Sequence, residues 1–248
     1  MEPEHIGQRF FDLTRYEYRG QTAQDRGEPH PPLELPFPAG AETVKLPAPL
    51  GEEVPRVDLV GTMNTRRSLR HYGAEPLSLR ELSFLLWSTQ GVQEVTQRPA
   101  TKRPVPSAGA RHAFETIVWA GNVAGLEPGL YRFLALEQRL LPLRLDPTLA
   151  EPLVAACGHQ RQVARSAATF FWVAVAERMT WRYGGRGYRY LLLDAGHVCQ
   201  NLYLAAEAIR CGACAIGAYD DVALNSLLGL DGEELFVVYA ATVGKRAG

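Results

Sequence analysis

Residues 188–210 read YRYLLLDAGHVCQNLYLAAEAIR, and the rest of the chain has to be arranged around them. Leu191, Leu192, Ala195, Val198, Cys199, Leu202, Ala205, Ala206 and Ile209 recur at i, i+3, i+4 spacing. That pattern predicts a long helix, apolar on nearly every side, with only a narrow polar stripe. Such a helix has to be enclosed by its own fold, by a second subunit or by lipid. Asp194, His197, Gln200 and Asn201 lie in its middle, where a bilayer penalises them, so lipid is the poorest of the three. Gly212 is expected to supply a left-handed stop.

Before this helix, residues 177–187 read as a basic, glycine-containing loop. Residues 169–176, TFFWVAVA, are a fully apolar run of strand length and predict a buried central strand. After the helix come a short apolar link at 213–219, a short helix at 222–228 capped by Asp220 or Asp221, and a last strand at 235–243. Further upstream, residues 147–167 predict two helical pieces broken near Gly158. FETIVWA at 114–120 predicts a strand, and 129–133 with 140–145 a hairpin or meander. Ser78 and Glu81 have capping-box spacing and open a helix that closes near Gly91. A short helix is expected from near Asp58 to Thr65, and a loop over 92–105. Strands and helices are interspersed without regular βαβ alternation, and no G-x-G-x-x-G follows a strand. The class is therefore α+β rather than doubly wound.

Residues 1–55 form a separate region, proline-rich from Pro29 to Pro55. Proline at that density suits an extended strap. Phe10, Phe11, Tyr16, Tyr18, Leu33, Leu35 and Phe37 give it anchors that a linker lacks. The division expected is an arm at 1–55 and a folded domain at 56–248.

Composition narrows the function. The 248 residues are 46% hydrophobic and carry a net charge of −1, which gives no reason to expect nucleic acid or an acidic membrane as partner. No basic-then-apolar leader and no spanning run is visible, so a cytoplasmic location is the default. Four cysteines, Cys157, Cys199, Cys211 and Cys214, do not make a disulfide scaffold. Cys211 and Cys214 match C-x-x-C, but behind a helix C-terminus, the wrong end of the dipole for a redox pair. They read as buried structural cysteines, and no metal site is expected.

Four stretches place cations or bare backbone where an anion or a flat ligand can approach. Arg66, Arg67, Ser68 and Arg70 bring guanidinium groups suited to phosphate. Pro106, Ser107, Ala108, Gly109 and Ala110 form a small-residue turn. Ile216 and Gly217 lie in a similarly bare segment, and Lys245 and Arg246 end the last strand. Each of these alone is as readily a solvated or tight turn.

In this order, RRSLRHY, PSAGARHAFE, YRYLLLDAGHVCQNLYLAAEAIRCGACAIGAYDD and VGKR resemble the nitroreductase superfamily of FMN-dependent oxidoreductases. PSAGA, the GRGYRY-to-DAGH block and the arm ending KLPAP resemble its SagB-type branch, which includes azoline oxidases of peptide biosynthesis. The resemblance covers roughly residues 56–246. It implies an α+β homodimer with a central, mostly antiparallel sheet, surrounding helices, and long helices packed across the two-fold. FMN would lie in two interface pockets. Arg66, Ser68 and Arg70 would serve its phosphate and pyrimidine side, with Arg67 beside them. Lys245 and Arg246 would also reach the phosphate, Pro106 to Ala110 would come from the partner subunit, and Ile216 and Gly217 would meet the ring near N5. Leu202 and Ala206 are expected on the dimer face.

Azoline oxidases of the branch carry a catalytic Lys-Tyr pair ahead of the GRGYRY block. Here the pair is Arg182 and Tyr183, and arginine is a poor base because its pKa is too high. The departure leaves three readings. The first is a SagB-like dehydrogenase of heterocyclised peptides, and the second an NAD(P)H-dependent nitro or quinone reductase. The third is a non-catalytic flavin-binding scaffold of a biosynthetic complex. RNA binding through the Arg/Gly stretch 182–189 is opposed by the neutral charge.

Overall fold

The computed structural model describes residues 5–50 and 56–247. The parts of the expected arm at 1–4 and 51–55 therefore lie outside the described residues. In chain order the elements are α1 (Ile6–Leu13), β1 (Val44–Lys45), α2 (Leu59–Thr65), α3 (Leu79–Gln90), β2 (Glu94–Val95), β3 (Thr101–Lys102), β4 (Phe114–Ala120), β5 (Gly129–Leu134) and β6 (Arg139–Leu145). There follow α4 (Ala150–Ala156), α5 (Gln162–Arg165), β7 (Ala168–Val175), α6 (Ala176–Tyr183), α7 (Gly187–Ala208), β8 (Cys211–Ile216), α8 (Asp221–Leu228) and β9 (Leu235–Lys245).

Seven strands form one sheet in the order β1-β6-β5-β4-β7-β9-β8, and every pairing in it is antiparallel. Alternation along the central strands supplies two cores. Phe114, Val118, Phe170, Trp172 and Ala241 face the layer containing α3 and α7. Ile117, Trp119, Phe171, Val173 and Val237 face that of α4 and α8. A strand covered on both faces has no polar side to show, which is why β7 is apolar but for the buried Thr169. The α+β expectation is met, and the sheet is wholly antiparallel.

Helix α3 begins at the predicted cap: Ser78 Oγ accepts from Glu81 N, and Ser78 N donates to Glu81 Oε2. Three local expectations are corrected. Residues 176–183 are a helix rather than a loop. Their polar sequence hid it because a buried position, Arg178, is filled by an ion-paired cation instead of an apolar residue. The apolar link after α7 is an edge strand, β8, whose small residues are ordered by pairing with β9. The left-handed residue after α7 is Arg210, at φ 57, not Gly212. Gly212 is needed for another reason: a Cβ there would sit 2.9 Å from Leu69 Cβ.

The arm packs on its own chain through backbone and side-chain bonds. Val44 and Lys45 pair with β6. Arg178, 2% exposed, donates to Glu115 Oε1 at 2.6 Å and to Pro32 O at 2.8 Å, while Leu35 N donates to the same Glu115 oxygen at 2.9 Å. Arg186 and Arg189 reach Thr14 and Phe11. The C-x-x-C cysteines are buried, unpaired thiols on β8, and burial raises both pKa values, Cys211 to about 12. They are inert core residues, as expected.

Helix α7 is not apolar all round in its setting. Leu202 and Ala206, expected on a dimer face, are 0% exposed within this chain, against the sheet and α3. Its open face is instead Leu192 (58% exposed), Leu193 (56%), Gly196, His197 and Gln200.

Candidate active site

Two clusters of the predicted residues are built, one near each end of α7. At the C-terminal end, residues 66–70 leave α2 and run along the open edge of β8. Ser68 bridges Ala213 in parallel, and Leu69 N donates to Ala213 O at 2.9 Å. Tyr203, from α7, joins the two segments: its hydroxyl lies 2.9 Å from Ser68 Oγ and accepts from Ala215 N at 2.8 Å. The Arg66 guanidinium lies over the Tyr203 ring, 5.2 Å from its centre. Arg66 and Arg70 make no side-chain hydrogen bond or ion pair among the described residues. Arg67 points elsewhere, donating to Asn64 O and Arg66 O at the end of α2.

Along the edge of β8, outward positions recur every second residue. The groups at Ala213 and Ala215 are taken by Leu69 and Tyr203. Continuing that alternation, Gly217 is exposed and its N–H has no acceptor among the described residues. A Cβ there would make only ordinary contact with Tyr239, so the bare position leaves open space rather than relieving a clash.

Lys245 and Arg246 come to the same end of the molecule but are neutralised by carboxylates, Lys245 by Glu81 and Arg246 by Glu207. Glu207 also accepts from Thr65 Oγ1 at 2.7 Å. A cavity of about 740 Å³ opens beside these pairs, between Arg56, Arg80, Phe84 and Arg210.

The second cluster surrounds the 106–110 turn. Asp194, 4% exposed on α7, accepts from Ala108 N at 3.2 Å, and the Ser107 hydroxyl bonds to it as well. Burial raises the Asp194 pKa, and those two bonds oppose the rise. Ser107 Oγ also accepts from His112 N at 2.9 Å. Gly109 has φ 59, and a Cβ there would lie 2.5 Å from the Tyr183 hydroxyl and 2.8 Å from Arg182 Nε. The structure thus sets Arg182 and Tyr183 directly against the turn.

The two clusters are not one site within a chain. Asp194 and Tyr203 are ~14 Å apart along α7 at 1.5 Å per residue. Sequence reasoning missed Asp194, Tyr203, Glu81 and Glu207 as organisers. For Asp194 the signal was present, a carboxylate in the middle of an apolar helix; for Tyr203 it was not, since a helical tyrosine reads as core.

Two outcomes follow from this geometry. Tyr203→Phe removes the link between Ser68 and Ala215, and ligand affinity at the β8 edge is expected to fall about tenfold with little loss of folding stability. Flavin titration and urea unfolding of the variant check this. His112, 5% exposed, has its pKa pushed down to about 3 by burial and then by Arg103. Between pH 6.5 and about 3 the unfolded chain takes up a proton at this residue that the folded chain refuses. Stability present above pH 6.5 is therefore lost as pH falls, by up to ~1.4 kcal/mol per pH unit. His112→Asn should flatten that acid limb in urea melts at pH 7, 6, 5 and 4.

The Nitroreductase family model matches residues 63–245. Putative nitroreductase MJ1384 of Methanocaldococcus jannaschii is 34% identical over 187 residues, covering 75% of this chain and 90% of that protein. The microcin B17-processing protein McbC of Escherichia coli is 25% identical over 136 residues, 53% of this chain and 50% of McbC, so the chain matches about half of McbC's length. The crystal structure of a putative nitroreductase from Ralstonia eutropha superposes with a TM-score of 0.69 at 25% identity, over 89% of this chain and 99% of that one.

Proposed function

The chain belongs to the nitroreductase family, and from that premise we propose that it is a homodimeric FMN-dependent oxidoreductase with two interface sites. The observation that carries this is the open edge of β8. Among the described residues the exposed Gly217 N–H has no acceptor, and Arg66 and Arg70 stand on the adjoining segment without counter-ions. A flat, anionic, hydrogen-bond-accepting ligand fits that edge.

The open face of α7 supports the dimer. Leu192, Leu193, Gly196 and His197 are exposed around one point of the helix. Antiparallel packing of α7 on its copy about Gly196 sets residues 186–190 of one protomer beside 202–206 of the other. The 106–110 turn, with Arg182 and Tyr183, then closes over the partner's β8 edge, and two half-sites become one.

In the site, FMN supplies two-electron hydride chemistry at N5 when bound. The chain's own residues would orient and polarise it: the Gly217 amide would serve the N5 edge, and Arg70 would place positive charge on the pyrimidine side. Arg66 would serve the phosphate, and Lys245 and Arg246 could reach it only by sharing their charge with Glu81 and Glu207, to which they are paired.

The likeness to McbC and to SagB-type dehydrogenases supports oxidation of azolines in a modified peptide. Arg182, at the position of the branch's lysine, favours a second reading, reduction of nitro or quinone substrates at the expense of NAD(P)H, because it cannot remove a proton. Anaerobic NAD(P)H separates the two. Rapid bleaching of the flavin supports the reductase; an unbleached flavin with turnover of an azoline under oxygen supports the dehydrogenase. A dimer that binds FMN and turns over neither substrate points to the scaffold. Among the described residues no helix is long and apolar enough to cross a membrane.

A further inference from the structure

The 106–110 turn carries a pair of guanidinium groups that the flavin reading does not use. Arg182 lies against Gly109 and makes no hydrogen bond or ion pair among the described residues; its guanidinium carbon lies over the Tyr183 ring, 5.7 Å from the ring centre. Arg111 is 8% exposed. Its Nε donates to Gly109 O at 3.0 Å and its Nη1 to His30 Nε2, leaving Nη2 uncommitted among the described residues. It lies over Trp181, 5.4 Å from the ring centre.

Neither arginine is paired with a carboxylate among the described residues. Two buried acids of this layer are committed elsewhere: Glu115 to Arg178 and Leu35 N, Asp194 to Ser107 and Ala108 N. His30, neutral or cationic in any state, adds no negative charge; its Nδ1 meets Pro31 O and its Nε2 meets Arg111. Both guanidinium groups are anchored on Gly109, Arg182 against its Cα and Arg111 on its carbonyl, so two like charges share one turn; burial, and then the charge of Arg182, hold the Arg111 pKa down. The Tyr183 hydroxyl beside them has no hydrogen-bond partner among the described residues.

A partly buried pair of guanidinium groups without a counter-ion is held against its own repulsion, and a planar bidentate anion relieves it. We propose that Arg182 and Arg111 form a subsite for a carboxylate of the substrate, with the Tyr183 hydroxyl as a third donor. The subsite rests on the flavin reading, because it lies on the turn that closes over the partner's flavin edge. It replaces proton removal at residue 182 by recognition of charge: the substrate is an organic acid, presented with its carboxylate on the turn and its reacting group over the ring.

The test is a matched pair of probes, 4-nitrobenzoate and 4-nitrobenzamide, titrated calorimetrically into the protein as purified. The carboxylate is expected to bind roughly tenfold more tightly than the amide, the worth of a charge-assisted bond. Arg182→Gln should bring the ratio close to one without changing flavin content, and Arg182→Lys should restore part of it. Equal binding of the two probes by the parent protein overturns the proposal. So does a carboxylate preference that survives both Arg182→Gln and Arg111→Gln, or loss of FMN in step with loss of the preference, which assigns the arginine to the cofactor. Calorimetry registers the ratio whether or not flavin is present, so a colourless protein that still prefers the carboxylate contradicts the flavin reading alone.

Discussion

Leu193→Asp is expected to yield a folded monomer that binds FMN at least ~100-fold more weakly than the parent. The side chain is 56% exposed in the single chain, and exposed substitutions of this kind usually change folding stability by less than about 0.5 kcal/mol. At a two-fold the same change acts twice. It removes the burial of two leucine side chains, at about 1.5–3 kcal/mol each, and sets a carboxylate against its own copy. Three kilocalories per mole is already about a hundredfold in affinity. Because the 106–110 turn of one protomer completes the β8 edge of the other in this account, cofactor and dimer are lost together. Light scattering and flavin titration on one preparation decide it. A monomer with intact FMN affinity, or an unaltered dimer, contradicts the account. Leu202 and Ala206 do not serve this purpose, since both are fully buried in their own chain and polar substitution there attacks the fold itself.

Glu115→Ala carries the second large effect. Glu115 and Arg178 are 5% and 2% exposed, and the Arg178 Nη1 already lacks a partner among the described residues. Removing the carboxylate strands a buried guanidinium, at a cost of about 3–5 kcal/mol, and takes the acceptor from Leu35 N. For a chain of this size that lowers the melting temperature by roughly 10 °C. Glu115→Leu combined with Arg178→Met should regain most of the stability, because a well-packed apolar pair matches or exceeds a buried ion pair. The double variant still lacks the bonds to Pro32 O and Leu35 N, so limited proteolysis should cut near residues 32–35 faster than in the parent at equal melting temperature. A loss below about 1 kcal/mol in Glu115→Ala contradicts this view of the arm's anchor.

What the sequence disclosed follows from which forces act locally. The period of α7, the apolar run of β7 and the Ser78–Glu81 cap are each decided by neighbours in the chain, and the structure contains them. The α6 helix was hidden because its buried cation is matched by an acid more than sixty residues away, Glu115, which no periodicity reveals. β8 was hidden because Gly212, Ala213 and Ala215 are weak strand formers whose conformation comes from β9. At the site, the arginines and bare turns were legible as residue types. Their arrangement was not: the pairing of Lys245 and Arg246 with Glu81 and Glu207 and the bridging role of Tyr203 depend on contacts between distant segments, while Arg67 turns back onto neighbouring carbonyls that its residue type alone does not announce.

The central claim is an interface flavin site, and the flavin content of the purified protein tests it most directly. Native mass spectrometry is expected to show a dimer carrying two FMN, one per protomer, with the flavin released on heating. A colourless protein that takes up no added FMN contradicts the account.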